Sequence, residues 1–231
     1  MTDMPPAQTD PIEETLERTS QYISWGFVPL PLTPGEKRPF GVRWQRTTMS
    51  EARSKVLSAM EKTGWKGLNL GVLCGKASGV VVLDIDAKKG GLERWKAATA
   101  RFGAPHTFTV QTGGGGLHLY FRYDEETAFL KTSFDTLGPG WDIRSEGGQV
   151  VGPYSIHPET KKPYSILTCF DERYEPYGKP IISPMPRWIY DPIGVMAAVA
   201  DDGVAASGRS DQMPLPTVSH LPATWQMCTV M

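Results

Sequence analysis

The stretch VVLDIDAKKGG, residues 81–91, places two aspartates inside an otherwise apolar run. Bulky and β-branched residues that are followed by glycines are typical of a buried strand that ends in a turn. Because side chains alternate between the two faces of a strand, we expect Asp84 and Asp86 on one face and Leu83 and Ile85 on the other. Two neighbouring carboxylates repel each other unless a cation lies between them. A metal ion, a lysine or water could fill that place.

Composition argues against several classes of protein. The 231 residues carry a net charge of -1, so no global charge indicates binding to nucleic acid or a membrane. The three cysteines form no CxxC pair, which argues against a structural zinc site or a disulfide framework. The first residues lack the apolar core of a secretory signal, and no apolar run approaches the roughly eighteen residues of a membrane span. We therefore expect a cytoplasmic protein without a membrane segment.

Capping signals and apolar periodicity predict an α+β fold. Helices are expected between Asp10 and Gly26, near 49–62, at about 91–102 and from Pro186 onward. Strands are expected at LNLGVLC, VVVLDID, 107–111 and 117–123, and as short pieces between 141 and 168. Helices and hairpin-like strands do not alternate strictly, which favours a mixed β-sheet core with flanking helices.

The domain prediction separates the chain into two parts. Residues 1–200 are expected to form one catalytic domain, of which residues 1–9 are frayed. Residues 201–231 are rich in Ser, Pro and Gly and lack periodicity, so they are predicted to be a disordered tail or a linker.

Two further polar clusters lie on predicted strands. In TGGGGLHLYFR, four glycines precede a strand on which His118, Tyr120 and Arg122 share a face, and in GWDIRSEGG Asp142 and Arg144 share a face. Hard divalent ions such as Mg²⁺ take carboxylate oxygens, whereas Arg, His⁺ and bare glycine backbone suit a triphosphate. Each cluster alone is typical of a solvated strand face. Together they favour phosphoryl or nucleotidyl transfer.

A basic stretch between Gly35 and Gly67 contrasts with the nearly neutral whole. It holds eight Lys or Arg and three Glu, with Trp44 and Trp65 interleaved. Such a segment could bind a single-stranded template through phosphate contacts and base stacking. The same pattern is typical of a solvated helix face, so both interpretations stay open.

The order of VVVLDID, GGGGLHLYF and GWDIRSEGGQVVGPYSIHPETKKPY resembles the N-terminal bifunctional DNA primase/polymerase (prim-pol) domain of plasmid and phage replication proteins, in the archaeo-eukaryotic primase superfamily. The upstream segments WGFVPLPLTPGEKRPFGVRW and LNLGVLCGKASG resemble that family's opening segments. The resemblance implies the prim-pol fold and template-dependent nucleotidyl transfer. It also implies two Mg²⁺ or Mn²⁺ ions, a single-stranded DNA template, dNTPs or NTPs, and strand separation by a separate replicative helicase.

The resemblance also implies roles for single residues. Asp84 and Asp86 match the family's first acidic pair, and Asp142 matches the acidic residue of its third motif; together they would hold the catalytic ions. His118 matches the histidine that contacts the phosphates of the incoming nucleotide. A looser set is expected at phosphate or template: Arg122, Arg144, Lys37, Ser155, Gly115 and Gly116. The family usually has a serine two residues before the histidine, where this chain has Gly116, and backbone N–H groups could replace that hydroxyl.

Two other functions stay open at this point. One is a non-catalytic DNA-binding replication accessory with the same fold, and the other is a metal-dependent phosphohydrolase that acts on nucleotides or DNA ends. Primer extension, DNA binding without synthesis and release of monophosphate would distinguish the three functions.

Overall fold

The computed structural model describes residues 10–167, 170–171 and 178–191. The predictions for residues 1–9 and 201–231 lie outside these ranges. The helices are α1 Pro11–Ser24, α2 Met49–Lys62, α3 Gly91–Phe102 and α4 Arg187–Tyr190, with 3-10 helices at Trp44–Arg46 and Ala87–Lys89. The strands are β1 Pro29–Pro31, β2 Leu70–Leu73, β3 Val80–Ile85, β4 Thr109–Gln111, β5 Leu117–Arg122, β6 Trp141–Arg144, β7 Gln149–Val151, β8 Ser165–Ile166, β9 Phe170–Asp171 and β10 Lys179–Pro180.

The predicted helix ends are confirmed by their caps. The Asp10 carboxylate accepts a hydrogen bond from the Ile12 N–H at 2.9 Å and starts α1. At the start of α2 the Thr48 N–H donates to the Glu51 carboxylate at 3.2 Å, as a capping box requires. Gly103 ends α3 with a positive φ of 81°, which favours glycine. None of the described helices is both long and apolar enough to cross a bilayer.

The strands form three sheets whose ladders are antiparallel. The largest has the order β6-β3-β5-β4-β8, the second has the order β1-β2-β7, and β9 pairs with β10. Within the described residues, parallel pairing is limited to isolated bridges, such as Phe121 with Ser183. The strands β2 and β3 are neighbours in sequence but belong to different sheets, connected by a bridge between Gly75 and Val80. The predicted α+β class is confirmed.

The five-stranded sheet has an apolar cluster on each face, as strand alternation requires. On one face, Val80 and Val82 of β3 pack in the cluster that includes Tyr22 of α1 and Val56 of α2. On the other face, Leu83 and its alternate neighbours pack with residues of α3 and α4. Asp84 follows Val82 on the first face, so a polar group lies where this apolar cluster ends. A cleft opens at that point.

Candidate active site

The cleft lies between the five-stranded sheet and β7. Its volume is about 340 Å³, which is within the range of small-molecule binding sites. Its walls include residues of β3, β5, β6 and β7 and of the turns after β3 and β4. Of the predicted site residues, it gathers Asp84, Asp86, His118, Asp142, Arg144, Lys37 and Gly116.

Three of these residues form a row across neighbouring strands. Asp84 on β3 pairs with His118 on β5 and with Asp142 on β6. Directly paired residues of antiparallel strands have Cβ atoms about 4.5–5.5 Å apart, so the side chains of this row meet. Asp142 therefore lies beside Asp84, although 58 positions separate them in sequence.

The cation between the two carboxylates is Arg144. Its Nη2 lies 2.8 Å from Oδ2 of Asp142 and 3.3 Å from Oδ2 of Asp84. The Phe134 ring covers the guanidinium, with Cζ 4.5 Å from the ring centroid, and Phe134 itself is 65% exposed. The sequence suggested a metal, a lysine or water here and assigned Arg144 to phosphate. In the structure an arginine offsets the repulsion of the two aspartates.

His118 and Arg144 also set the ionisation of Asp84. Burial raises the pKa of this carboxyl, but the adjacent His118 and Arg144 outweigh burial, and the net pKa lies below its ordinary value. His118 Nε2 lies 3.4 Å from Asp84 Oδ1, while its Nδ1 is buried without a hydrogen-bond partner among the described residues. Asp84 is therefore held as a carboxylate at neutral pH.

Asp86 was predicted to lie on the strand, on one face with Asp84, but it lies one residue beyond the end of β3. β3 ends at Ile85, and Asp86 caps the 3-10 helix that follows, with its Oδ1 accepting the Lys88 N–H at 2.8 Å. Its own N–H donates to the Gly140 carbonyl at 2.9 Å. Asp86 thus lines the same cleft as Asp84, but from a turn rather than from the strand face that alternation predicted.

The glycine run forms the turn between β4 and β5. The Thr112 hydroxyl accepts the Gly116 N–H at 2.9 Å, and the Gly115 N–H donates to the Thr112 carbonyl. Gly114 and Gly116 line the cleft, whereas Gly115 lies outside its lining. A Cβ on Gly116 would collide with the backbone carbonyl oxygen of Ile85 on β3. The departure from the family's serine therefore has a packing reason, because the backbone of β3 leaves no room for a side chain.

Besides Gly115, two predicted contacts are not brought to the cleft. Arg122 is exposed at the far end of β5, four residues from His118 or about 13 Å along the strand. Ser155 is fully buried, and its hydroxyl donates to the Leu70 carbonyl at 2.9 Å and accepts the Leu70 N–H at 3.0 Å. Ser155 therefore anchors its segment to β2. Neither position meets a ligand in the cleft.

The cleft also contains residues that sequence reasoning missed, above all His157. It is 3% exposed, lines the cleft and packs beside the glycine turn, since a Cβ on Gly113 would collide with its side chain. The only signal was its place in the SIHPET segment that resembled the family. We call Lys37, His157, Gly114 and Gly116 the donor end of the cleft, and Asp84, Asp142 and Arg144 its acidic end.

The carboxylates suit a divalent cation by chemistry. Asp84, Asp86 and Asp142 present oxygen ligands to one cleft, and hard ions such as Mg²⁺ and Mn²⁺ take such ligands. Within the described ranges, however, no group of three or more His, Cys, Asp or Glu is arranged to hold an ion. Arg144 holds two of the three carboxylates instead, so an ion would have to replace the guanidinium.

Comparison with known proteins identifies the family of the chain. The family model for the N-terminal domain of bifunctional DNA primase/polymerase matches residues 19–188, which include every residue of the cleft. No curated protein matches the chain. The matched family carries out DNA priming and polymerisation, which is nucleotidyl transfer, and a domain of this type binds DNA and nucleotides. The resemblance of the motifs is confirmed, and the chain belongs to the family of bifunctional DNA primase/polymerase N-terminal domains.

Proposed function

We propose that this chain is a template-dependent nucleotidyltransferase, a DNA primase and polymerase, in the replication of a plasmid, phage or mobile element. The observation that carries the proposal is the row of Asp142, Asp84 and His118 across three strands, in a cleft whose other end is lined by the Lys37 ammonium. Charges of opposite sign at two ends of one cleft suit a metal-bound triphosphate.

Asp84, Asp142 and Asp86 are the residues that would hold Mg²⁺ or Mn²⁺, and we propose two ions. Divalent ions in this place would activate a 3′-hydroxyl and neutralise the charge on the leaving pyrophosphate. The lowered pKa of Asp84 keeps that carboxyl ionised at neutral pH and ready to bind a cation. Asp86 lines the cleft from a turn, which gives its carboxylate a different direction of approach.

Arg144 changes partner in this proposal. In the structure its guanidinium pairs with both acidic residues. If a divalent cation took its place at Asp84 and Asp142, the guanidinium would be free to donate to a phosphate oxygen, which arginine binds well. His118, beside Asp84, is positioned to donate to the same phosphates. The sequence assigned Arg144 to phosphate, and in the structure it pairs with carboxylates. We propose both contacts for it: the carboxylates when no cation is bound, and phosphate when one is.

The template is proposed to run along the basic segment beside Lys37. Lys37 lines the cleft, and its carbonyl accepts the Gln149 Nε2–H at 2.8 Å, which fixes this loop to β7. Further along the loop Arg43 and Arg46 are exposed and flank the half-buried Trp44. Exposed guanidinium groups around an aromatic ring suit a single strand, which offers phosphates and unstacked bases.

The test is a primer-extension assay with labelled dNTPs or NTPs, a single-stranded template and Mg²⁺ or Mn²⁺. Asp84→Asn should lower extension more than about 100-fold, because a neutral amide is a poor ligand for a hard cation. Asp124→Asn is the matched control, since its side chain lies outside the cleft and keeps the oxygen that accepts the Glu126 N–H.

Two other results would indicate a different function for this chain. DNA retardation by a chain that extends no primer, with or without Mn²⁺, would indicate the non-catalytic accessory function. Release of nucleoside monophosphate without extension would indicate a phosphohydrolase. Extension by Asp84→Asn at the rate of the control would show that the carboxylate row is not the active site.

A further inference from the structure

His157 is held in a single tautomer by its own loop. Its Nδ1 accepts hydrogen bonds from the backbone N–H groups of Glu159 and Thr160, each at 3.2 Å. A nitrogen that accepts two hydrogen bonds has no proton of its own, so the neutral ring carries its proton on Nε2. Burial lowers the pKa of His157, Lys37 and Lys88 lower it further, and Glu159 only partly opposes them. At neutral pH His157 is therefore a neutral ring with a fixed Nε2–H donor.

This donor has no partner of its own. Throughout the part of the chain that the structure describes, Nε2 makes no hydrogen bond, although His157 is 97% buried. The ring is wedged between the glycine turn and Tyr164, whose ring stacks on it at 6.1 Å, and Nε2 lies beside Gly114 at the wall of the cleft. Nε2 itself is not among the fully buried, unpaired side-chain atoms, so it keeps some exposure at the wall of the cleft and can donate to a ligand there.

The surroundings of Nε2 indicate what the acceptor is. Lys37 lies close enough to affect the ionisation of His157, and its ammonium has no ion pair or hydrogen bond within the described ranges. Gly114, which is half-buried and has no side chain, leaves backbone exposed on the same wall. A fixed N–H, a free ammonium and exposed backbone together select an anion with several oxygens.

We propose that His157 is a phosphate-binding residue, whose Nε2–H donates to a non-bridging oxygen of the triphosphate of the incoming nucleotide. This inference rests on the proposed function and adds the donor end as the place where the triphosphate is held. His118 lies at the carboxylate row, so the two histidines would contact the nucleotide at different points. Tyr164 lies between them, with ring centroids 5.7 Å from His118 and 6.1 Å from His157.

The test uses the substitution His157→Asn. The asparagine Oδ1 can replace Nδ1 as the acceptor for the loop N–H groups, whereas the Nε2–H is removed. His106→Asn is the matched control, because His106 is exposed and lies outside the cleft. Binding of dTTP, dTDP and thymidine is measured by calorimetry with Mg²⁺ and without template, and folding is checked by thermal melting.

His157→Asn should weaken dTTP binding about 3- to 10-fold, the value of one neutral hydrogen bond, and leave thymidine binding unchanged. In primer extension KM for the nucleotide should rise while kcat changes little. Equal dTTP affinity of the wild type and His157→Asn would overturn the inference and leave the proposed function intact. An equal loss for thymidine would also overturn it. Failure of the wild type to bind dTTP or extend a primer would reject both.

A measurement on the unaltered chain tests the inference if the variant does not fold. Long-range ¹H–¹⁵N spectra should report His157 as the Nε2–H tautomer, and the Nε2–H signal should move when dTTP is added. The chain has four histidines, which keeps the assignment tractable. A His157 signal that dTTP leaves in place would contradict phosphate binding.

Discussion

At the acidic end of the cleft Arg144 already pairs with Asp84 and Asp142, whereas at the donor end Lys37 and His157 Nε2 have no partners within the described ranges. One guanidinium offsets only one of the two carboxylate charges, so the acidic end keeps a net negative charge, and a cation must compete with the guanidinium to enter. At the donor end no ion pair of Lys37 and no hydrogen bond of His157 Nε2 has to break before an anion binds. The difference predicts that removal of the Arg144 guanidinium at the acidic end changes folding as well as binding, and that removal of the Lys37 ammonium at the donor end changes binding alone.

The largest effect is expected where the two ends join. Gly116→Ser would force a side chain against the Ile85 carbonyl of β3, and overpacking against backbone costs about 3 kcal/mol. Chemical denaturation should show this loss in the free energy of unfolding, and primer extension should fall with it because Asp84 lies next to Ile85.

Gly114→Ser is the control for this prediction. A Cβ on Gly114 meets its nearest neighbour, His157 Nε2, at 3.4 Å, which is ordinary van der Waals contact. The stability of Gly114→Ser should therefore stay within about 0.5 kcal/mol of the wild type. Equal stability of Gly116→Ser and the wild type would mean that the backbone of β3 shifts to accept the side chain. Packing against Ile85 would then not explain why glycine occupies position 116.

Removal of the Arg144 guanidinium should have the next largest effect on stability. Arg144→Met removes the guanidinium that offsets the repulsion between Asp84 and Asp142, so the free energy of unfolding in EDTA should fall by about 2 kcal/mol, less than for a fully buried pair because Arg144 is 19% exposed. Without the competing guanidinium, Mn²⁺ should bind on the order of tenfold more tightly in calorimetry. Mn²⁺ should also restore part of the lost stability.

Arg122→Met is the matched control for Arg144. It removes an exposed arginine of the same sheet and should change neither quantity. If Arg144→Met binds Mn²⁺ no more tightly than Arg122→Met, the guanidinium does not compete with the cation, and the two ends of the cleft differ less than the contacts suggest.

The sequence predicted the acidic end better than the donor end. Strand alternation places Asp142 and Arg144 on one face and Asp84 beside Val82, so only the pairing of β3 with β6 had to come from the family resemblance. That Arg144 lies between the carboxylates could not be predicted, because it depends on the register that sets Arg144 opposite Val82. Asp86 was placed on the strand because alternation does not show where a strand stops.

At the donor end the decisive contacts are between backbone and side chain, and patterns of residue type do not encode them. The N–H groups of Glu159 and Thr160 donate to His157 Nδ1, and this leaves the ring proton on Nε2 as a donor. Ser155 has the same residue type as a phosphate-binding serine, but tertiary packing turns its hydroxyl to Leu70. Arg122 shares a strand face with His118, and only the length of β5 separates it from the cleft.

A smaller effect is expected for the unpaired lysine. Lys37→Met should raise the dissociation constant of dTTP about threefold, because an exposed charge contributes little in water, and the effect should shrink as salt rises. Lys66→Met, an exposed lysine of the same basic stretch outside the cleft, should not affect dTTP binding. A salt-independent loss, or a loss of stability, would show that Lys37 is a structural residue.

The acidic end should titrate at low pH. The net pKa of Asp84 is lowered, so its carboxylate stabilises the fold above the ordinary value of about 4, and this contribution disappears as pH falls through the lower folded value. In EDTA, the melting temperature of the wild type should exceed that of Asp84→Asn by a constant amount from pH 7 to 5, and the difference should shrink below about pH 4. A difference that grows in acid would mean that burial, not Arg144 and His118, controls this carboxyl.

The donor end should titrate in a separate and higher range, with the smallest effect. The folded pKa of His157 is lowered, chiefly by burial, so the neutral ring stabilises the fold above its ordinary value of about 6.5, and the contribution is lost as pH falls through the folded value. Between pH 7 and 5 the wild type should therefore lose more stability than His157→Asn, whose side chain does not titrate. Glu159 opposes the effects of Lys37 and Lys88 on this ring, so Glu159→Gln should enlarge the loss. If the wild type and His157→Asn keep a constant difference across this range, the ring is open to water, and Nε2 is already satisfied by solvent before any phosphate arrives.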